Sequence, residues 1–322
     1  MRKKFLAVAA ALLLNFAPVS AAPAWTMPDY GVELYGAAKQ KYVAENVERA
    51  YSQQNPDNYF SAPDGWNYEI FNLGRFNLEY LENPAGNPNR TILQLHGGGY
   101  VIALTNGHRN LAVKYGVLAD AGKIYSVDYR IAPENGYPAA LEDAVASYEE
   151  ILRRGTRPEE VVVIGDSAGG NLALELSLYL RDHRLPQPKM LILVSPWATV
   201  QTNQPSWKYN AKRDLILGEG TPLYESVKKP PYAKGFKAKD PRISPLHADL
   251  KNLPPMLIQA GGYELFLDDC LALAKKAAAA DVKVTLTVYP EMSHDFALLL
   301  PNIQETLDSF REIRDFINQN MN

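Results

Sequence analysis

The 322-residue sequence predicts an α/β protein built on a mostly parallel sheet with helices on both faces. Six apolar runs recur along it, "TILQLHGG", "KIYSVDYR", "VVVIGDS", "KMLILVSP", "PPMLIQAGG" and "KVTLTVYP". Their near-continuous apolar character is that of strands covered on both faces. Helical stretches separate them: "YPAALEDAVASYEEILRRG" carries Pro138 near its first turn and Gly155 beyond its end, the expected asymmetry of helix start and stop. One join is abrupt. "VVVI" runs into Gly165-Asp166-Ser167-Ala168-Gly169 and then at once into an apolar helical stretch.

The N-terminus stands apart from this pattern. Arg2, Lys3 and Lys4 precede an apolar run from Phe5 to about Phe16, followed by "APVSAAPA". This is the layout of a signal peptide over residues 1–22, cleaved near Ala21 or Ala22, and it predicts a periplasmic or secreted protein. The apolar run is too short for a membrane span, which needs roughly 20 residues. Losing the three basic residues leaves 30 Lys and Arg against 36 Asp and Glu. The single cysteine, Cys270, cannot form an intramolecular disulfide, and no cysteine lies near the leader to carry a lipid, so no membrane anchor is expected.

Residues 23–60 read as helical and rich in tyrosine. "NYEIF" and "RFNLEYLEN", on either side of Asn72-Leu73-Gly74, predict a hairpin leading into the sheet. The main domain then covers residues 61–322, interrupted at about 198–245 by an irregular stretch containing Pro205, Pro222, Pro230, Pro231 and Pro241. With 33 basic and 36 acidic residues and no basic tract, a nucleic-acid partner has no electrostatic support. No metal-ligand cluster or dinucleotide fingerprint occurs, so neither metal nor cofactor is expected. No oligomeric state is specified.

Gly165-Asp166-Ser167-Ala168-Gly169 matches the G-x-S-x-G nucleophile elbow. A strand that turns straight into a helix forces its middle residue into a strained backbone conformation. The residues two before and two after must lack bulk because backbone packs closely there. The serine hydroxyl is thereby raised over the strand ends, beside the free N–H groups of the helix start. Acyl transfer also needs donors for the developing oxyanion. His96-Gly97-Gly98-Gly99, directly after a strand, leaves backbone N–H groups uncovered. Gly98, Gly99 and Ala168 are the expected hole, with His96 shaping the loop.

The string HGGG, "DYRIAPE", "YPAALEDA", GDSAGG, "SPW" and "DPRISPLHADLKNLPP", in that order over residues 90–300, resembles the hormone-sensitive-lipase-like family of α/β hydrolases, which includes many bacterial esterases. The resemblance implies the α/β-hydrolase fold with an eight-stranded sheet. It also implies a helical lid formed by the N-terminal segment over 23–60 and the insertion at 198–245.

Among the five histidines, His294 follows "KVTLTVYPEMS", in a loop after the last expected strand. That position brings it over the same sheet edge as Ser167, as general base. His108, His183 and His247 are expected on surfaces or in loops. For the third member, "LIQAGGYELFLDDC" offers Glu264, Asp268 and Asp269. Aligned on the family pattern, Glu264 takes the catalytic position and Asp268 matches a later acid; the charge of Asp268 and Asp269 also suits a helix start. The order Ser, acid, His is the one this fold uses. Asp295, after the base, departs from the small or apolar residue of many relatives and is expected to raise the pKa of His294.

Asp128, Arg130 and Glu134 read as a structural network beneath the site, and Asp166 as a hydrogen-bonding neighbour of the nucleophile. Tyr30, Tyr35, Trp197, Trp207 and Tyr209 are candidate pocket walls. The function expected is carboxylic-ester hydrolysis of short- to medium-chain acyl esters with water, through an acyl-enzyme. A peptidase, amidase or deacetylase of the same fold shares this machinery, and a non-catalytic binding homologue would tend to lack the histidine that is present here.

Overall fold

The computed structural model describes residues 24–52 and 60–321, so the leader at 1–22 lies outside it. The helix α1 (Gly36–Ser52) is followed by the hairpin strands β1 (Asn67–Asn72) and β2 (Asn77–Glu82). The chain then alternates: β3 (Asn87–Leu95), α2 (Asn106–Leu118), β4 (Ala121–Asp128), α3 (Ala139–Arg153), β5 (Val161–Asp166), α4 (Ala168–Asp182) and β6 (Met190–Val194). Two one-turn helices, α5 (Pro205–Tyr209) and α6 (Tyr224–Lys228), punctuate the irregular stretch. The fold ends with β7 (Met256–Gly261), α7 (Leu267–Ala279), β8 (Val284–Tyr289), the short α8 (Phe296–Leu299) and α9 (Gln304–Met321).

The eight strands form one sheet in the order β1-β2-β4-β3-β5-β6-β7-β8. Pairings up to β2–β4 are antiparallel and all others parallel. The expected eight-stranded α/β-hydrolase sheet is therefore present, hairpin included. Val161 to Ile164 are at most 1% exposed, and their β-branched side chains suit an extended backbone covered on both faces. Helix α3 shows how the covering layer forms. Ala140, Ala144, Tyr148 and Ile151 make one buried stripe at helical spacing. Glu142 in the first turn and Arg153 in the last complement the helix dipole.

The connectivity decides where a site can form. From β3 the chain steps outward to β4, then returns across β3 to β5, so the strand order reverses at β3. A crevice opens beyond the carboxyl ends of strands at such a switch. The β3–β5 register pairs Leu95 with Gly165, which sets the segment beginning at His96 beside the segment carrying Ser167.

Two expectations need correction. The run "KVTLTVYP" does not form a doubly covered strand: β8 lies at the sheet edge, and from Val284 to Val288 its residues are exposed or half-buried. An edge strand has a neighbour on one side only, and composition does not reveal strand order. Residues 24–35 are not helical either. They run along α9, where Val32 bridges Ile303 and Trp25 meets the Phe310 ring edge-on at 5.7 Å.

Candidate active site

At the end of β5 the backbone turns directly into α4, and Ser167 sits between them at φ 53° and ψ −116°. The glycines of this turn have a steric reason. A Cβ on Gly165 would lie 2.2 Å from the Gly169 carbonyl oxygen, and one on Gly169 would lie 1.9 Å from the Leu95 carbonyl oxygen. The Ser167 N–H donates to Val194 O at 2.9 Å, which fixes the turn against β6. Ser167 is buried, 4% exposed.

His294 reaches this serine from the loop after β8, with Nε2 2.7 Å from Ser167 Oγ. On its other side, Nδ1 is 3.4 Å from Glu264 Oε2, long for a hydrogen bond but within the range that tightens when substrate binds. Asp268, the rival acid, is turned away: its carboxylate accepts the Ser206 N–H at 2.7 Å and the Tyr209 hydroxyl at 3.1 Å. The three groups therefore come from the ends of β5, β7 and β8, nearly a hundred or more residues apart along the chain from Ser167. An alcohol, an imidazole and a carboxylate in this order are a set of groups able to carry out acyl transfer.

Asp295 makes a further contact that sequence reading anticipated only as a charge effect. Its Oδ2 is 3.1 Å from His294 Nε2, the same nitrogen that meets the serine. Asp295 adopts a left-handed backbone, φ 47°, and its N–H donates to Ser195 Oγ at 3.3 Å. Burial presses the His294 pKa down, but the Asp295 carboxylate, with Glu264 adding, outweighs it and holds the pKa well above the ordinary histidine value. Burial raises Glu264, opposed by His294 and by the Ser195 hydroxyl. Burial, then Asp295, pushes Asp166 well above the carboxylate range.

The segment after β3 forms the facing wall. Gly98 and Gly99 have φ of 106° and 61°, and Gly98 O accepts the N–H groups of Val101 and Ile102, both at 3.0 Å. Among the described residues no acceptor takes the N–H of Gly98 or Gly99. That of Ala168 is one of the free amides of the α4 start. Gly97 packs against the Asp166 side chain, and a Cβ on Gly97 would lie 2.2 Å from Asp166 Oδ2. His96 stacks on Tyr129 with ring centroids 4.1 Å apart, and burial lowers its pKa well below the ordinary value. It is a neutral ring that shapes the loop.

Several residues sit elsewhere than the sequence suggested. His108 is buried, not on the surface: it closes a capping box with Thr105 at the start of α2 and lies 5.1 Å from the His96 ring. The usual capping signature has Glu or Gln at that position, so the histidine hid it. Arg130 binds Asp143 through paired contacts of 2.8–3.0 Å and Glu142 at 2.9 Å, while Glu134 is exposed and outside this network. Trp197 and Trp207 are not pocket walls. Both are buried against Phe266, whose ring meets His294 edge-on at 5.0 Å. Tyr30 and Tyr35 are 87% and 75% exposed.

Three supports of the site were not assigned that part from the sequence. Asp214, in the irregular stretch, accepts the N–H groups of Ile216, Leu217 and Leu265, clamping that stretch to the loop of Glu264. Cys270 Sγ lies 3.7 Å from Glu264 Oε1. Ser195, left-handed at φ 46° and buried just after β6, accepts the Asp295 N–H. Ser195 lies in the SPW stretch and Cys270 is the single cysteine, but only tertiary contact shows what each residue touches.

Among the described residues no group of His, Cys, Asp and Glu could hold a metal ion, and no helix is long and apolar enough to cross a membrane. Residues 92–298 match the family model described as the alpha/beta hydrolase fold. The chain is 37% identical to an acetyl-hydrolase of Streptomyces hygroscopicus over 226 residues, 70% of this chain and 74% of the relative. It is 34% identical to an esterase of Acinetobacter venetianus, covering 70% of this chain and 73% of that one. A crystal structure of an esterase from the bacterial hormone-sensitive lipase family superposes with a TM-score of 0.79 at 30% identity, over 90% of this chain and 100% of the other. With its fold, its motifs and these relatives in agreement, the chain belongs to the hormone-sensitive-lipase-like family of α/β hydrolases and is a carboxylesterase.

Proposed function

We propose that the chain hydrolyses esters of short- to medium-chain acyl groups, with Ser167 as nucleophile, His294 as general base and Glu264 as the carboxylate that orients it. The observation that carries this reading is the 2.7 Å approach of His294 Nε2 to Ser167 Oγ. Ser167 Oγ attacks the ester carbonyl as its proton passes to Nε2. The oxyanion is held by the N–H groups of Gly98, Gly99 and Ala168. Collapse expels the alkoxide, which takes the proton from Nε2, and leaves an acyl-enzyme. Water, deprotonated by the same nitrogen, then releases the acid and restores the serine. The name of the acetyl-hydrolase relative supports short acyl groups. The test is a series of 4-nitrophenyl esters of increasing acyl length together with fluorophosphonate labelling of Ser167. Activity falling steadily beyond medium chains agrees with this reading; a long-chain optimum or an unlabelled Ser167 contradicts it.

We also read α1 with its flanks and the 198–245 stretch as a lid. Lys39 of α1 pairs with Glu291, in the loop that leads to His294, and with Glu305 of α9. Tyr263 donates to the same Glu291 at 3.3 Å, and the Leu215 N–H donates to Ser293 Oγ at 3.3 Å. These contacts couple both segments to the loops of the acid and the base. The leader pattern at 1–22 supports export to the periplasm or medium.

Gly98→Val is expected to lower kcat by about 10²-fold or more. Its Cβ would lie 2.7 Å from Ile102 Cβ on a backbone at φ 106°, which moves the donor away from the oxyanion. Steady-state rates on 4-nitrophenyl acetate, with circular dichroism as a folding check, measure this; an unchanged rate assigns the hole to other donors.

The Asp295 contact predicts the pH profile. Only neutral His294 accepts the serine proton, and a raised pKa delays that form to higher pH. Asp295→Asn removes a carboxylate and is expected to move the acidic limb of kcat/KM down by roughly 1–3 pH units. Profiles of both proteins over pH 5–10 decide it, and superimposable acidic limbs would show that Asp295 does not set the base.

A further inference from the structure

The nitrogen of His294 that serves the ester also faces a charge. Asp295 Oδ2 lies 3.1 Å from Nε2, on a side chain that is 10% exposed, while its Oδ1 is buried without a partner. The backbone holds this carboxylate in place: Asp295 is left-handed at φ 47°, and its N–H donates to Ser195 Oγ at 3.3 Å. Among the described residues no Lys or Arg pairs with Asp295 or with Glu264, and the partner they share is the imidazole itself.

The reaction brings the alcohol part of the ester beside this charge. Nε2 hands its proton to the leaving oxygen, so that oxygen comes within about 3 Å of Nε2 as the tetrahedral intermediate collapses. It therefore lies within about 6 Å of Asp295 Oδ2 whichever way the alcohol points. An ammonium two carbons further along stays within roughly 10 Å, about a Debye length at 0.1 M salt. Ser167 is only 4% exposed, and water screens charges weakly in such a place. With the imidazole neutral, Asp295 and Glu264 present two negative charges; once the imidazolium forms, one remains. A cation on the alcohol is favoured at both stages, and an anion there is opposed.

We propose that Asp295 makes the site selective for esters whose alcohol carries a positive charge close to the ester oxygen, the esters of amino alcohols and of their quaternary derivatives. This rests on the triad reading given above and adds the class of alcohol to it. The selectivity is one of charge and needs no contact with the carboxylate: the leaving oxygen is fixed near Nε2 by the chemistry, and Oδ2 is fixed near Nε2 by the fold. The acyl side is placed differently, since its carbonyl oxygen turns towards the amides of Gly98, Gly99 and Ala168.

The test compares acetylcholine with 3,3-dimethylbutyl acetate, the same ester with carbon in place of the quaternary nitrogen. Acyl group and shape are shared, so the ratio of kcat/KM values reads the charge alone. Rates are measured by titrating the released acid on the plateau of each protein's pH profile, which keeps the shift of the base out of the comparison. The full chain is expected to prefer acetylcholine by roughly tenfold or more, and Asp295→Asn to bring the ratio within about threefold of unity. Asparagine is tolerated in a left-handed backbone, so the variant is expected to keep the turn. The proposal is overturned if the full chain cleaves the two esters equally or prefers the neutral one, if it cleaves neither while cleaving 4-nitrophenyl acetate, or if Asp295→Asn keeps the preference. A full chain inactive on 4-nitrophenyl acetate as well would overturn the triad reading, and this inference with it. The comparison of the two esters on the unaltered chain needs no variant, so it stands even if Asp295→Asn folds poorly.

Discussion

Ser167→Ala is expected to lower kcat by roughly 10⁴–10⁶-fold while leaving KM within a few-fold. The variant loses one oxygen, which makes the 2.7 Å contact with His294 Nε2. The turn itself is held by backbone contacts, Ser167 N–H to Val194 O and Trp197 N–H to Ser167 O, so the fold is expected to survive. Without the hydroxyl no acyl-enzyme forms, and what remains is water attacking an ester bound near free amides, which is the residual rate such sites keep. Burst kinetics with 4-nitrophenyl acetate and mass detection of the acylated chain measure the loss. Turnover within tenfold of the parent chain would remove Ser167 from the mechanism altogether.

The second large effect is expected at Glu264. Glu264→Gln should lower kcat by about 10²–10⁴-fold. The carboxylate at 3.4 Å from Nδ1 favours the tautomer with a proton on Nδ1 and a lone pair on Nε2. A glutamine amide can donate to Nδ1 instead, which favours the tautomer with Nε2 already protonated and unable to take the serine proton. The carboxylate also stabilises the imidazolium formed during attack, and the amide does not. Asp268→Asn is the matched control. That side chain binds Ser206 N–H and the Tyr209 hydroxyl, so its kcat should stay within about threefold, as surface-proximal substitutions usually do. If the two variants exchanged these phenotypes, the carboxylate assignment would be wrong.

Asp295 complicates the pair in an informative way. Two carboxylates, Glu264 and Asp295, reach the two nitrogens of one buried ring. A ring so placed favours the protonated form, in which Nε2–H points at both Ser167 and Asp295. Removing the Asp295 charge should free the base at lower pH without touching the nucleophile, whereas removing Glu264 should depress the rate across the whole profile. The two substitutions thus separate the role of setting when the base works from the role of making it work.

How much of this was legible before the fold is a matter of range along the chain. The β5 run, the elbow glycines and the helix after them are local. Gly165 and Gly169 are required by atoms four residues away or on the adjoining strand, and the pattern that meets those constraints is short. The HGGG amides are local too, since a glycine run after a strand declares itself. His294 was readable because a loop after the last strand has only one sheet edge to reach. The edge status of β8, by contrast, depends on strand order, which no stretch of β8 encodes.

The sequence by itself determined the class of fold, the nucleophile elbow and the residue types available for acyl transfer, because backbone sterics and hydrophobic periodicity act over a few residues. Only the tertiary structure decided that Glu264 and not Asp268 faces the imidazole, that Asp295 competes for Nε2, and that Asp214 and Ser195 brace the loops. A carboxylate's surroundings, charge and direction are set by segments packed against it from distant parts of the chain, so the same residue type takes a different part in each place.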